Sequence, residues 1–352
     1  MSTFYPQHTV AIAQVHQVMQ GASHRGLAVE PLLARSGISE SLLASPLARV
    51  SQRQFAALLR VLRRALRDEI WGLTSRPIRP GSFAQCARLL LQSSSLEEAL
   101  RKGFAFWHLL IDDFTPRLEC HGGLARVRLD RHVPENARLD YAQKTFMLFS
   151  LGLVSWLVAR RVSVVTVDYT TSLPVAEMSR VYQAPIRRGQ PQFGFSFEAR
   201  WLALPVVQSE QSLLEFLANA PGNLFVKYRD SSSASQRIRR LLQRNLGTEM
   251  PSLEIVARQL GTTPQTLRRR LRDEGRGFQA LKDELRRDAA IALLGDSGVS
   301  LAEVALRLGF SEPSTFHRAF KKWTGVAPGA YREERGIGEG SSPPAPSASP
   351  GA

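Results

Sequence analysis

Gln265 and Arg269 stand four residues apart, with Arg268 and Arg272 beside them. Ser314 and Arg318 repeat that spacing further along, flanked by His317 and Lys321. Four residues are close to one helical turn, so each pair projects from a single helix face. Such a face suits the grooves of DNA. Arg forks onto guanine O6 and N7, Gln can pair with adenine, and Ser can reach bases or phosphates. Gln265, Arg269, Ser314 and Arg318 are therefore the expected base contacts. Arg268, Arg272, His317 and Lys321 are expected at phosphates or beside the reading face. A merely solvated basic helix would look similar, so the assignment depends on the elements that hold these side chains.

Other chemistries have less support. Cys86 and Cys120 lie far apart and outside any CxxC arrangement, which excludes a four-thiolate zinc site. His8, His16 and His24 lie eight apart, about 80° from one another round an ideal helix, and converge poorly on one ion. His108 and Asp112 could share an ion, but no third ligand is near. No metal and no cofactor are expected. GxSxG, P-loop, GxGxxG and HExxH patterns are absent, so no catalytic residue is assigned. Phe104, Phe106 and Trp107 could wall a pocket, although core packing is the commoner use of such a cluster.

An internal repeat supplies the positioning elements. Residues 252–271, SLEIVARQLGTTPQTLRRRL, resemble residues 300–323, SLAEVALRLGFSEPSTFHRAFKKW. Each copy starts with a serine at an N-cap position, and Glu303 adds a capping box in the second. Leu253, Val256, Ala257 and Leu260 form a helical stripe, repeated by Leu301, Val304, Ala305 and Leu308. Gly261 and Gly309 follow as helix ends. Thr263 ahead of Pro264, and Ser311 ahead of Pro313, cap the next helix. A short helix, a glycine turn and a second helix make a helix-turn-helix. Leu267 and Leu271, or Phe316 and Phe320, bury one side of the second helix and leave the other free. Between the copies, residues 278–294 place Leu281, Leu285, Ala289 and Leu293 on one stripe. This helix would span about 25 Å and help set the roughly 34 Å between successive major grooves. Arg286 and Arg287 on it are equally suited to structural and phosphate contacts.

The rest of the chain reads as a separate α+β domain. Residues 8–112 are mostly helical in pattern, with WGLTSRPIRPGSF (71–83) as a loop. RLECHGGLARVRLD predicts a hairpin turning at Gly122 and Gly123. Thr145–Ala159 is a 15-residue apolar run, shorter than the ~20 residues of a membrane span, and reads as a core helix. Residues 162–169 and 193–197 are strand candidates, and Pro174 sits near a short helix. The expected fold is thus an α+β N-terminal domain with a small antiparallel sheet, and an all-α C-terminal domain of two helix-turn-helix motifs. Residues 8–217 are expected to sense an effector or dimerise, and 218–235 to act as a linker. Residues 236–334 would bind DNA through motifs at 252–273 and 300–323. Gly-, Pro- and Ser-rich residues 335–352 are expected to be disordered.

The segment GFSEPSTFHRAFKKWTGVAPGAYR (309–332) resembles the signature of the AraC/XylS transcription regulators: Phe316 and Phe320 four apart, then Lys321, Gly325, Pro328 and Tyr331. Ala327 replaces the usual threonine before that proline. The resemblance covers residues 233–334. WGLTSRPIRPGSF followed by LEEAL resembles the arabinose-binding-like N-terminal domain of a subgroup that includes ornithine-utilisation regulators. The subgroup name does not identify a sugar ligand. The resemblance implies a cytoplasmic regulator whose N-terminal domain senses a small molecule or dimerises.

Charge agrees with that implication. The 352-residue chain carries +15, and 229–335 alone carries 20 Lys+Arg against 13 Asp+Glu, about twice the net positive charge per residue of the remainder. Such an excess attracts polyanions. A 43% hydrophobic and 22% charged composition excludes a mainly disordered chain. The N-terminus lacks the basic start and apolar core of a secretory signal. Expected partners are double-stranded DNA, an effector of unknown identity, a second copy as a homodimer, and RNA polymerase, with no membrane. A DNA-repair methyl-transfer enzyme can carry a similar C-terminal domain, but it needs a cluster of reactive cysteines. Two separated ones disfavour it, and no enzyme activity is expected.

Overall fold

Helical spacing of apolar residues builds the N-terminal helices. In α3 (Gln52–Leu66), Phe55, Leu58, Leu59 and Leu62 fall on one buried face, and Ser51 with Gln54 closes a reciprocal capping box. A computed structural model of the chain describes residues 9–170, 182, 184–218, 234–248, 250–274, 276–296 and 298–333. The helix expected near Pro174, most of the expected linker and the tail lie outside the described residues.

Before α3 come β1 (Thr9–Ala11), α1 (Ile12–His24), α2 (Val29–Ala34) and β2 (Arg49–Ser51). β1 and β2 form an antiparallel ribbon, with Val10 opposite Val50. Three-residue strands are too short to leave an alternating pattern, so the sequence of 8–112 shows only its helices. After α3, α4 (Ser82–Leu91) packs on α5 (Leu96–His108).

β3 (Phe114–His121) and β4 (Leu124–Arg131) form the expected hairpin. Gly122 and Gly123 at its turn have φ of 57° and 77°, the backbone required by a two-residue type I′ connection. The apolar run 145–159 falls largely within α6 (Ala137–Leu157), where Phe146, Met147, Leu151 and Val154 are buried. β5 (Val164–Asp168), β6 (Ile186–Arg187) and β7 (Gly194–Glu198) complete a sheet of order β3-β4-β7-β5-β6. The sheet is not wholly antiparallel: β5 and β6 run parallel. The long connection from Tyr169 to Pro185 gives the chain room to return in the same direction. Among the described residues, no helix is long and apolar enough to cross a membrane.

The remaining helices are α7 (Glu210–Ala218), α8 (Ala234–Arg244), α9 (Leu253–Gln259), α10 (Pro264–Asp273), α11 (Phe278–Leu294), α12 (Leu301–Arg307), α13 (Pro313–Thr324) and α14 (Pro328–Glu333). They share two apolar cores. Ile238, Leu242, Val256, Leu267, Leu271 and Leu285 form a compact cluster around the first repeat copy. Val304, Ala305, Phe316, Phe320 and Tyr331 of the second copy belong to a larger cluster that also contains Ile12, Val50 and Phe55. The second copy therefore packs against the N-terminal part. Ser45 donates to the Thr324 carbonyl at 2.8 Å, and the Tyr331 hydroxyl donates to the Arg49 carbonyl at 3.0 Å.

Candidate nucleic-acid interface

Local capping and burial orient the two second helices. In the first copy, Ser252 Oγ accepts from the Ile255 amide, and Thr263 Oγ1 accepts from the Thr266 amide ahead of Pro264. In the second, Ser300 Oγ accepts from the Glu303 amide. Gly261 and Gly309 adopt φ of 63° and 78°, ending α9 and α12 in the left-handed region. Two expected caps differ. The Glu303 carboxylate turns to Arg307 one turn on, so Ser300 caps without a reciprocal partner. Ser311 does not cap α13. Pro313 holds its first position, so the preceding residue, Glu312, is the N-cap and makes no side-chain cap bond.

The buried sides agree with the stripe reading: Leu267, Leu271, Phe316 and Phe320 are at most 1% exposed. Each such burial contributes about 1.5–3 kcal/mol, which fixes the rotation of the helix and hence its outward face. Gln265, Arg268, Arg269 and Arg272 are all exposed on α10, and Ser314, Arg318 and Lys321 on α13. His317 is half-buried with its ring edge toward Phe316 at 6.2 Å. Arg268 pairs with Glu254 of α9 at 3.5 Å, both side chains being well solvated. Hydrogen bonds from its own amide and from Ser252 hold the Glu254 carboxyl below its usual range. Ser314 Oγ donates to Glu312 Oε2 at 3.2 Å. Arg270 and Lys322 are also exposed and extend the positive surface, although the four-residue spacing did not single them out.

On α11, Arg286 and Arg287 turn inward. The Arg286 guanidinium lies 5.3 Å from the centre of the Phe310 ring, and half-burial lowers its pKa. Arg287 donates to Asp288 Oδ1 at 3.2 Å. Asp288 is itself buried among the apolar stripe and was missed by sequence reading. Its Oδ2 accepts from Arg239 of α8 at 2.7 Å, and its Oδ1 accepts from Thr9 Oγ1 of β1 at 2.6 Å. One carboxylate thus joins the N-terminal ribbon to helices supporting both copies. The only sequence signal was an acid on an otherwise apolar face.

His108 and Asp112 are not brought together. His108 Nδ1 lies 3.0 Å from Thr115 Oγ1, while Asp112 pairs with Arg76 at 3.1 Å. Cys86 is buried, and burial pushes its thiol up to about 12, the opposite of a reactive thiolate. Cys120 is exposed on β3.

Two tandem helix-turn-helix units with outward polar and basic faces, beside an α+β unit, define a two-domain DNA-binding regulator. Family comparison supplies the rest. The "Arabinose-binding domain of AraC transcription regulator" profile matches residues 26–206, more than half of the chain, and a helix-turn-helix domain profile matches 256–334. The chain belongs to the AraC family of transcription regulators. It is similar to the ornithine utilization regulator of Pseudomonas aeruginosa, 25% identical over 327 residues, covering 92% of this chain and 96% of that one. It is also similar to VirS of Mycobacterium tuberculosis, 32% identical over 152 residues, covering 43% and 44% of the respective chains. Among solved structures, CdpR of Pseudomonas aeruginosa is 20% identical, covering 91% of this chain and 98% of that chain at a TM-score of 0.29. The protein is a sequence-specific DNA-binding transcription regulator, and a methyl-transfer repair enzyme has no support.

Proposed function

We propose that α10 and α13 enter successive major grooves on one side of the duplex. Gln265 and Arg269 read bases in one groove, Ser314 and Arg318 in the next. Arg268, Arg272, His317 and Lys321 hold the flanking phosphates. The observation that carries this reading is that both second helices bury an apolar pair and expose polar and basic residues opposite it. Residues 8–217 form a sensing and dimerisation domain, 218–235 join it to the rest, and 236–334 bind DNA. The regulator works in the cytoplasm as a homodimer, contacts RNA polymerase, needs no catalytic step of its own, and answers to a small molecule bound by the N-terminal domain. Names of its relatives, with their arabinose and ornithine, favour a metabolite as the signal.

Genomic fragments selected by the purified full chain at two salt concentrations test the DNA half of the proposal. The expected result is one enriched motif with two half-sites about one helical turn apart. A single half-site, or recovery without a motif, would defeat the two-groove arrangement. Expression from the selected promoter, compared between the full chain and residues 218–352, tests control by the N-terminal domain. Equal regulation and equal self-association would remove it.

A further inference from the structure

The N-terminal unit contains a cavity of about 370 Å³, within the roughly 300–1,000 Å³ of small-molecule sites. Its wall is dominated by the rings of Trp71, Phe83, Trp107, Phe146 and Phe149. These rings brace one another edge-to-face, Trp71 on Phe149 at 6.1 Å and Trp107 on Phe146 at 5.9 Å. The wall is therefore a rigid apolar surface, formed before any ligand arrives. Trp71 and Phe83 come from the 71–83 loop. That loop is held by the buried Asp68 carboxylate, which accepts from the amides of Ile70, Gly72 and Ile78.

The charged part of the lining is one-sided. Arg60 and Arg63 lie three residues apart on α3 and are both exposed. Among the described residues, neither has a carboxylate partner. Glu69 also lines the cavity, but its two oxygens already accept from the amides of Gly81 at 2.6 Å and Phe83 at 2.7 Å. An ammonium group would therefore find no unengaged carboxylate here. The side-chain hydroxyls of the wall are those of Thr145 and Ser150, too few to replace the hydration of a sugar. An apolar chamber with two unpaired guanidinium groups at its lining fits a ligand with an apolar body and one anionic end.

We propose that this cavity receives a lipophilic carboxylate, an alkanoic or arylalkanoic acid, with its carboxylate held by Arg60 and Arg63 and its body against the aromatic wall. The assignment rests on the reading that the N-terminal domain binds a small molecule, and it names the class. Leu217 and Ala218, the last two residues of α7, also line the cavity. Residues 219–233 connect that helix end directly to α8 of the DNA-binding part, so occupancy bears on the start of the connection.

Calorimetric titration and thermal melting of the purified full chain test the proposal, with decanoate, 1-decanol, L-arabinose and L-ornithine as probes. Decanoate is expected to bind saturably and raise the melting temperature, with 1-decanol binding at least about tenfold more weakly. The double variant Arg60→Ala/Arg63→Ala should fold normally, since both side chains are exposed, and should bring decanoate down to the affinity of 1-decanol. Ser150→Trp should block both probes by filling the chamber. Equal decanoate binding by the wild type and the double variant, or none by either, would overturn the proposal. Saturable binding of arabinose or ornithine but not decanoate would overturn it while sustaining small-molecule control. If no probe binds, the lipophilic-anion assignment falls, and the deletion comparison above still decides control by itself.

Discussion

At the scale of single residues, the DNA face divides by what each side chain can form. Arg269 and Arg318 can make paired hydrogen bonds to guanine, so Arg269→Ala or Arg318→Ala should cost about 1–3 kcal/mol at the preferred site and relax the choice of particular bases. Lys321 offers a point charge. Lys321→Ala should weaken all sequences alike and make the log–log salt slope shallower by about 0.9. A binding-site library measured at two salt concentrations separates the outcomes, and a uniform loss for Arg269→Ala and Arg318→Ala would reassign them to the backbone. These residues were legible because their partners on the buried face, Leu267, Leu271, Phe316 and Phe320, leave a periodic trace. Asp288 was not. A single acid on an apolar stripe has no period, and its partners Arg239 and Thr9 lie 49 and 279 residues away. Asp288→Ala should strand the buried Arg239 cation, at about 3–5 kcal/mol in denaturant unfolding. By contrast, Glu303→Ala on the surface of α12 should cost no more than about 1 kcal/mol.

At the scale of elements, the two copies share a plan and differ in their surroundings. Gly261 and Gly309 occupy equivalent turns with similar φ, and a Cβ at either would be strained. At Gly261 that Cβ would meet nothing within 4 Å, whereas at Gly309 it would lie 2.8 Å from the Thr248 carbonyl oxygen. Gly261→Ala should therefore cost about 1 kcal/mol and Gly309→Ala clearly more, measured as the shift in unfolding midpoint. Sequence periodicity showed the helices, the Gly122–Gly123 hairpin and both turns because each depends on neighbours within a few residues. The β1–β2 ribbon, the order of the five-stranded sheet and the parallel β5–β6 pair depend on contacts between distant segments. The cap of α13 failed for a different reason. Ser311 has the right chemistry, but the fixed position of Pro313 places Glu312 at the cap.

At the scale of the whole molecule, the apolar core crosses the division that the sequence suggests. Val304, Phe316 and Phe320 share a cluster with Ile12 and Val50, while the first copy closes its own core around Val256 and Leu267. A fragment spanning 234–333 should still bind DNA, with affinity falling steeply in salt. Its second copy, stripped of its packing, should exchange amide hydrogens faster than the first. Hydrogen exchange on the fragment and the full chain checks this, and equal protection of the two copies in the fragment would show that the shared core contributes little.

That one-sided packing gives the regulator a polarity. The N-terminal unit rides on the flank of α12–α14, so a bound chain has a bulky end and a slim end along the duplex. Turning an operator round in place would leave its half-sites and their affinities unchanged. It would carry the sensing unit to the other side of the site, toward or away from the neighbouring promoter. Direction of the operator, and not merely its presence, then becomes part of the instruction written in the DNA.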